Sequence, residues 1–231
     1  MWSVTGMTKW EKEKPHFDEL GILHKDVPNN VLKYLINEPD KKSKANYKLA
    51  GHIKKEFDYT NIPEFVKNFF TSSISNFSEK LFNDIIFKYS ILNKNCQFNL
   101  DSLWVNYQKK HEFNPIHNHS GIYSFIVFLK IPYDLKKELR VFDYTNKVTS
   151  KGKLLEAEDC NNRTSKLCFI ITDRLGDINE HLVSVDKSFE GKMLMFPAKL
   201  HHQVYPFYTS NGYRITVSGN INLDVTKIID D

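Results

Sequence analysis

From Cys96 onward the chain is written in short runs of β-branched and aromatic residues, and no other feature limits the fold as much. The runs are Leu103-Trp104-Val105-Asn106-Tyr107, Ile122 to Leu129, Leu139-Arg140-Val141-Phe142, Leu167 to Ile171, Met193 to Phe196, and Tyr213 to Ser218. Several alternate apolar with polar positions, the period of a strand that buries one face. Turn signals such as Asn118-His119-Ser120-Gly121 and Ser210-Asn211-Gly212 separate them. Short strands with no helices between them predict an antiparallel sandwich or jelly roll, not a β-α-β fold.

The preceding segment has a different texture. Residues 1 to about 60 are polar and irregular, with one short predicted helix near Val31 to Ile36, started by Pro28-Asn29-Asn30 and stopped before Pro39. From Ile62 to about Tyr89, Phe65, Phe69, Phe70, Ile74, Phe77, Leu81 and Ile85 recur at three- and four-residue steps, which predicts one long or two consecutive amphipathic helices. At 231 residues one core is expected, with residues 1–95 as a helical or irregular wrap around a β core over 96–225. The polar stretch 145–165 between two runs is expected to be a long loop, either a mobile insertion or a lid.

Composition removes several classes of function. The net charge of +4 comes from lysines scattered in pairs such as Lys54-Lys55 and Lys109-Lys110, not from the basic stripe of a nucleic-acid groove. No signal-peptide pattern opens the chain and no long apolar run crosses it, so a cytoplasmic location without membrane contact is expected. The three cysteines have neither an even count nor CxxC spacing, which argues against a disulfide framework or a cysteine zinc site.

The chemistry is carried by histidines. On an extended segment residues two apart share a face, so His117 and His119 can offer both imidazoles to one ion. His202 starts another strand candidate that can lie beside them, and three imidazoles leave the far side of an ion open. A register shift by one would present His201 instead. In Arg214-Ile215-Thr216-Val217-Ser218, alternation puts Arg214, Thr216 and Ser218 on one face. A guanidinium among apolar neighbours calls for an anion, either a carboxylate ligand held by two parallel hydrogen bonds with help from Thr216 or an internal Asp or Glu, unless it simply faces solvent.

The stretch Leu103 to Leu223 resembles the 2-oxoglutarate/Fe(II) oxygenase superfamily, and closely the oxygenases of marine cyanophages. The carrying motifs are Trp104 to Tyr107, Pro115-Ile116-His117-Asn118-His119-Ser120-Gly121, Phe196 to Pro206 and Arg214 to Asn220. The resemblance implies a double-stranded β-helix core, the jelly roll of cupin-like proteins, in a mainly β chain with flanking helices. It implies Fe(II) and 2-oxoglutarate as cofactor and co-substrate, with His117, His119 and His202 at the metal. Arg214 with Thr216 would hold the distal carboxylate of 2-oxoglutarate, and Tyr107 would touch the same molecule. The implied reaction is hydroxylation of a substrate, a protein side chain, a free amino acid or a nucleotide base, with release of succinate and CO2, in a host cytoplasm if the chain is phage-encoded. His119 departs from the family, which usually has a carboxylate there. Two other expectations are a three-histidine cupin dioxygenase that does not use 2-oxoglutarate, and a catalytically silent binding or virion-associated module.

Overall fold

A computed structural model of the protein describes residues 7–75, 97–142, 162–172 and 175–224. The fold is a double-stranded β-helix built from two antiparallel sheets. Its strands are β1 (Leu23–Asp26), β2 (Glu56–Asp58), β3 (Gln97–Gln108), β4 (Asn114–His117), β5 (Tyr123–Lys130), β6 (Leu167–Thr172), β7 (Ile178–Val183), β8 (Lys192–Pro197), β9 (His201–Val204) and β10 (Arg214–Asp224). The larger sheet runs β1-β8-β5-β10-β3-β2 and the smaller β4-β9-β6-β7. From β3 to β10 the chain passes back and forth between the sheets, which is the rolling-up that defines a jelly roll.

Strand parity divides the core in two. Ile126, Phe128, Leu194 and Phe196 point from the larger sheet toward Leu167, Phe169 and Val183 of the smaller one. Their neighbours Phe125, Val127, Met193 and Met195 point the other way, onto the helices. Strand β5 is therefore buried on both faces, which explains its almost unbroken apolar sequence.

The helices on the outer face are α2 (Asn29–Asn37) and α3 (Glu64–Ser75). Val66, Phe70 and Ile74 of α3 repeat every four residues and bury against the sheet. The Phe70 ring stacks on Phe125 with centroids 4.0 Å apart. The helix predicted from Ile62 onward is found as far as Ser75, and its continuation toward Tyr89 lies outside the described residues. So does most of the 145–165 stretch.

Two expectations are corrected. The first 60 residues are more than a wrap, because β1 and β2 form the two edges of the larger sheet, pairing with β8 and β3. Helix α1 (Lys9–Glu19) precedes them, begun by a Thr8/Glu11 capping box, and sends Trp10 and Phe17 into the core between the sheets. The run Leu139 to Phe142 is not a strand: Leu135–Arg140 forms a helical turn, α4, with the Asp134 side chain capping Lys137 N–H. Lys136-Lys137-Glu138 are good helix formers, and the buried pair Glu138 and Leu139 fixes that turn. Among the described residues no helix is long and apolar enough to cross a membrane.

Candidate metal centre

Strands β4 and β9 pair in a register that sets His117 directly opposite His202. Cross-strand partners share a sheet face, so both imidazoles turn into the space between the sheets. His119 lies just past the end of β4, where its backbone N–H donates to Ala198 O at 2.8 Å. That bond ties the turn after β4 to the end of β8 and brings the third ring in. Gly121 in the same turn has φ +92°, and a Cβ there would stand 2.8 Å from Ile221 O, so the tight return into β5 depends on glycine.

The three rings form one cluster, with centroids 5.0 Å apart for His117–His119, 4.3 Å for His117–His202 and 5.0 Å for His119–His202. One nitrogen from each lies within 4.8 Å of the other two, and the Nε2 atoms of His119 and His202 are 3.2 Å apart. Nδ1 of His117 lies 2.7 Å from Pro115 O, and Nδ1 of His202 lies 3.0 Å from Leu200 O. A carbonyl can only accept, so both Nδ1 atoms carry the proton and both Nε2 atoms keep a lone pair for the ion. His201 takes no part: it is exposed and pairs with Asn118 at 3.1 Å, which settles the register in favour of His202.

Burial holds all three imidazoles in the neutral form. His119 is pushed down to about 4, chiefly by burial and then by the neighbouring His117. His117 and His202 are lowered by the same cause. A proton competes with a metal only where the folded-state imidazole takes it up. With ordinary imidazoles of pKa about 6.5, acidification from pH 7 to 5.5 would cost up to about tenfold per ligand and pH unit. Here Ni(II) affinity, followed by calorimetry, is expected to stay within a few-fold over that interval. A fall of about 100-fold or more would contradict the lowered values.

The cluster opens on a cavity of about 550 Å³ between the sheets. Its floor is the inner face of β3 and β10, where Gln108, Asn106 and Trp104 stand opposite Arg214, Thr216 and Ser218. The Trp104 ring lies 5.8 Å from that of His119. Asn106 Nδ2 donates to Thr216 Oγ1 at 3.3 Å, leaving the Thr216 hydroxyl proton available to a ligand. Tyr107, expected beside the co-substrate, is not there. It pairs with Ile215, so its ring faces away from the cavity and packs edge-on against Phe57 and Tyr213. Parity decides this, since adjacent strand residues point to opposite faces and Asn106 and Gln108 take the inner one.

Arg214 is 2% exposed, and no carboxylate pairs with it among the described residues. Its Nε donates to Gln108 Oε1 at 2.9 Å, Nη1 to Ser165 O at 2.8 Å and Tyr133 OH at 3.3 Å, and Nη2 to Tyr205 O at 2.8 Å. Five N–H groups less four bonds leave one, on Nη2. The expected two-bond grip on a carboxylate is thereby reduced to one guanidinium bond beside the Thr216 hydroxyl. Among the described residues only neutral oxygens meet the guanidinium, and burying a charge in that way is costly unless an anion arrives.

At one end of the double-stranded β-helix, three inward imidazoles that could hold one metal ion thus share a cavity with a guanidinium that no carboxylate pairs among the described residues. The family model described as "Putative 2OG-Fe(II) oxygenase" matches residues 102–220, just over half of the chain, and the chain belongs to that family of 2-oxoglutarate/Fe(II) oxygenases. Among solved structures it is similar to a prolyl-4-hydroxylase of Pseudomonas putida, at 12% identity and TM-score 0.47, covering 90% of this chain and 95% of that one. It is also similar to an oxidoreductase of the 2OG-Fe(II) oxygenase family from Burkholderia pseudomallei, at 9% identity and TM-score 0.48, covering 96% and 93%. A third similar structure is HygX from Streptomyces hygroscopicus with nickel and 2-oxoglutarate bound, at 10% identity and TM-score 0.38, covering 94% and 87%. No curated protein sequence matches.

Proposed function

We propose that the protein is a 2-oxoglutarate- and Fe(II)-dependent dioxygenase that hydroxylates a C–H bond of a primary substrate. The observation that carries this reading is Arg214, a buried cation without an anionic partner among the described residues, lining the same cavity as the three imidazoles. A metal site alone would not need it.

The donor set fits the ion. Neutral imidazoles, two of them with tautomers fixed by carbonyls, suit Fe(II), and three on one side leave the other positions for small ligands. Bound together, Fe(II) and 2-oxoglutarate supply an O2-dependent oxidation in which 2-oxoglutarate becomes succinate and CO2 and one oxygen atom enters the substrate. The chain's own residues supply placement. His117, His119 and His202 hold the metal, Pro115 O and Leu200 O orient two of the rings, and Arg214 with Thr216 receives the distal carboxylate. Trp104, Ile126 and Phe128 line the cavity and limit water there. With His119 where the family usually has a carboxylate, the three histidines would hold the metal without a negative charge of their own to offset it.

Aerobic incubation with Fe(II) and 2-oxoglutarate tests the reading. Succinate is expected to form above the protein-free background, even without primary substrate, as slow uncoupled turnover. Iron binding with no succinate would overturn it. His119 also favours a second reading, a three-histidine dioxygenase that consumes O2 without 2-oxoglutarate, which the same assay separates by an oxygen electrode.

A further inference from the structure

We propose that the primary substrate enters this cavity as a cation and that Glu56 receives its positively charged nitrogen, an inference that rests on the oxygenase reading of the same site. Glu56 stands on β2 opposite Asn106 of β3, which stands opposite Thr216 of β10, so one row of side chains crosses the sheet and faces the cavity. Glu56 is 1% exposed, and its hydrogen bond comes from Asn46 Nδ2 to Oε2 at 3.0 Å. Among the described residues nothing donates to Oε1 and no Lys or Arg pairs with the carboxylate.

Two further acceptors without partners stand on the same wall. Asn106 and Asn220, 4% and 7% exposed, line the cavity with Oδ1 atoms that have no hydrogen-bond partner. Asn106 uses its Nδ2 on Thr216, which leaves its Oδ1 as an acceptor. Lys48, the lysine at the cavity wall, is paired with Asp58 at 2.7 Å and does not neutralise Glu56. Asp101 adds a second carboxylate to the lining.

Access to Glu56 is built into the backbone. An ideal Cβ on Gly51 would stand 3.0 Å from Glu56 Oε1 and 2.4 Å from Asn114 Oδ1, so a side chain there would fill the approach that glycine leaves open. Burial and the like charge of Glu112 push the Glu56 carboxyl up to about 7, the state of a buried acid without its counter-ion. Arg214 and Glu56 thus divide the cavity into an anion subsite and a cation subsite. A volume of about 550 Å³ is in the range of small-molecule pockets and takes a ligand carrying a guanidinium or a primary ammonium.

The test is calorimetry on the full chain with carboxylate-free probes, so that Arg214 cannot decide the result. Nα-acetyl-arginine amide is compared with Nα-acetyl-citrulline amide, and Nα-acetyl-lysine amide with its Nε-acetyl form. At least one cationic probe is expected to bind about tenfold or more tightly than its neutral counterpart, the worth of one charge-assisted hydrogen bond at a buried site. Glu56→Gln, which keeps shape and loses charge, is expected to erase that ratio and leave the neutral probe unaffected. Gly51→Ala, which keeps the carboxylate but crowds Oε1, is expected to lower the ratio too, and serves if the first variant does not fold. A ratio near one for both pairs, or a ratio that survives Glu56→Gln, would overturn the proposal. The absorption of Fe(II) with 2-oxoglutarate is recorded on the same samples. A charge preference without that absorption removes the oxygenase reading and supports the cation subsite, and the reverse pattern removes the cation subsite alone.

Discussion

Arg214→Met is expected to lower 2-oxoglutarate affinity by about 100-fold or more and to leave Fe(II) affinity within a few-fold, because truncating one partner of a buried charged pair costs roughly 2–5 kcal/mol. The fold pays as well: Gln108 Oε1 and Tyr205 O lose their donor, while Ser165 O keeps the Tyr133 hydroxyl at 3.4 Å. Each stranded acceptor costs about 1 kcal/mol, and removing an unpaired buried cation offsets part of that. A net loss of roughly 1–3 kcal/mol is expected, with methionine filling the aliphatic volume. Calorimetry with 2-oxoglutarate and urea unfolding check the two effects separately. Unchanged 2-oxoglutarate affinity in a folded Arg214→Met protein would show that the guanidinium serves only to pin the Ser165 and Tyr205 carbonyls.

His202→Ala is expected to reduce Fe(II) affinity by at least about 100-fold, since even changing a hydrogen-bond partner behind a ligand costs 10–100-fold. No neighbour can substitute. His201 projects to the exposed side and pairs with Asn118, while Phe169 and Phe196 flank the vacated position with apolar rings. His201→Ala is the matched control and should leave iron affinity within a few-fold. Competition against a coloured chelator measures both. Equal losses in the two variants would mean that the strand register at β9 is wrong.

Much of this site is legible in the sequence because strands convert spacing into direction. The pleat alone puts Arg214 and Thr216 on one face and makes one of His201 and His202 face inward, while the pairing of β4 with β9 selects His202. The same rule defeats Tyr107: which of two adjacent residues faces inward depends on pairing with β10, and no single strand records that. Edge strands β1 and β2 are four and three residues long, too short to show alternation, and their existence comes from pairing with β8 and β3. Glu56 is missed for that reason, since a lone Glu in a polar stretch looks like surface until β2 docks and carries it into the cavity. Leu139 to Phe142 misleads in the opposite way, as an apolar run whose local context of Asp134, Lys136, Lys137 and Glu138 favours a helical turn. The Arg214 partners Ser165 O and Tyr205 O are backbone atoms and leave no residue-type signal at all.

The proposed function requires three imidazoles and Arg214 to hold Fe(II) and 2-oxoglutarate together in one cavity. Anaerobic titration of the metal-free protein with Fe(II) and then 2-oxoglutarate tests it most directly, through the visible charge-transfer band of a keto acid chelated to Fe(II). A band is expected in the wild type, none in His202→Ala, and one that needs far more 2-oxoglutarate in Arg214→Met. Iron that binds tightly while 2-oxoglutarate produces no band would contradict it.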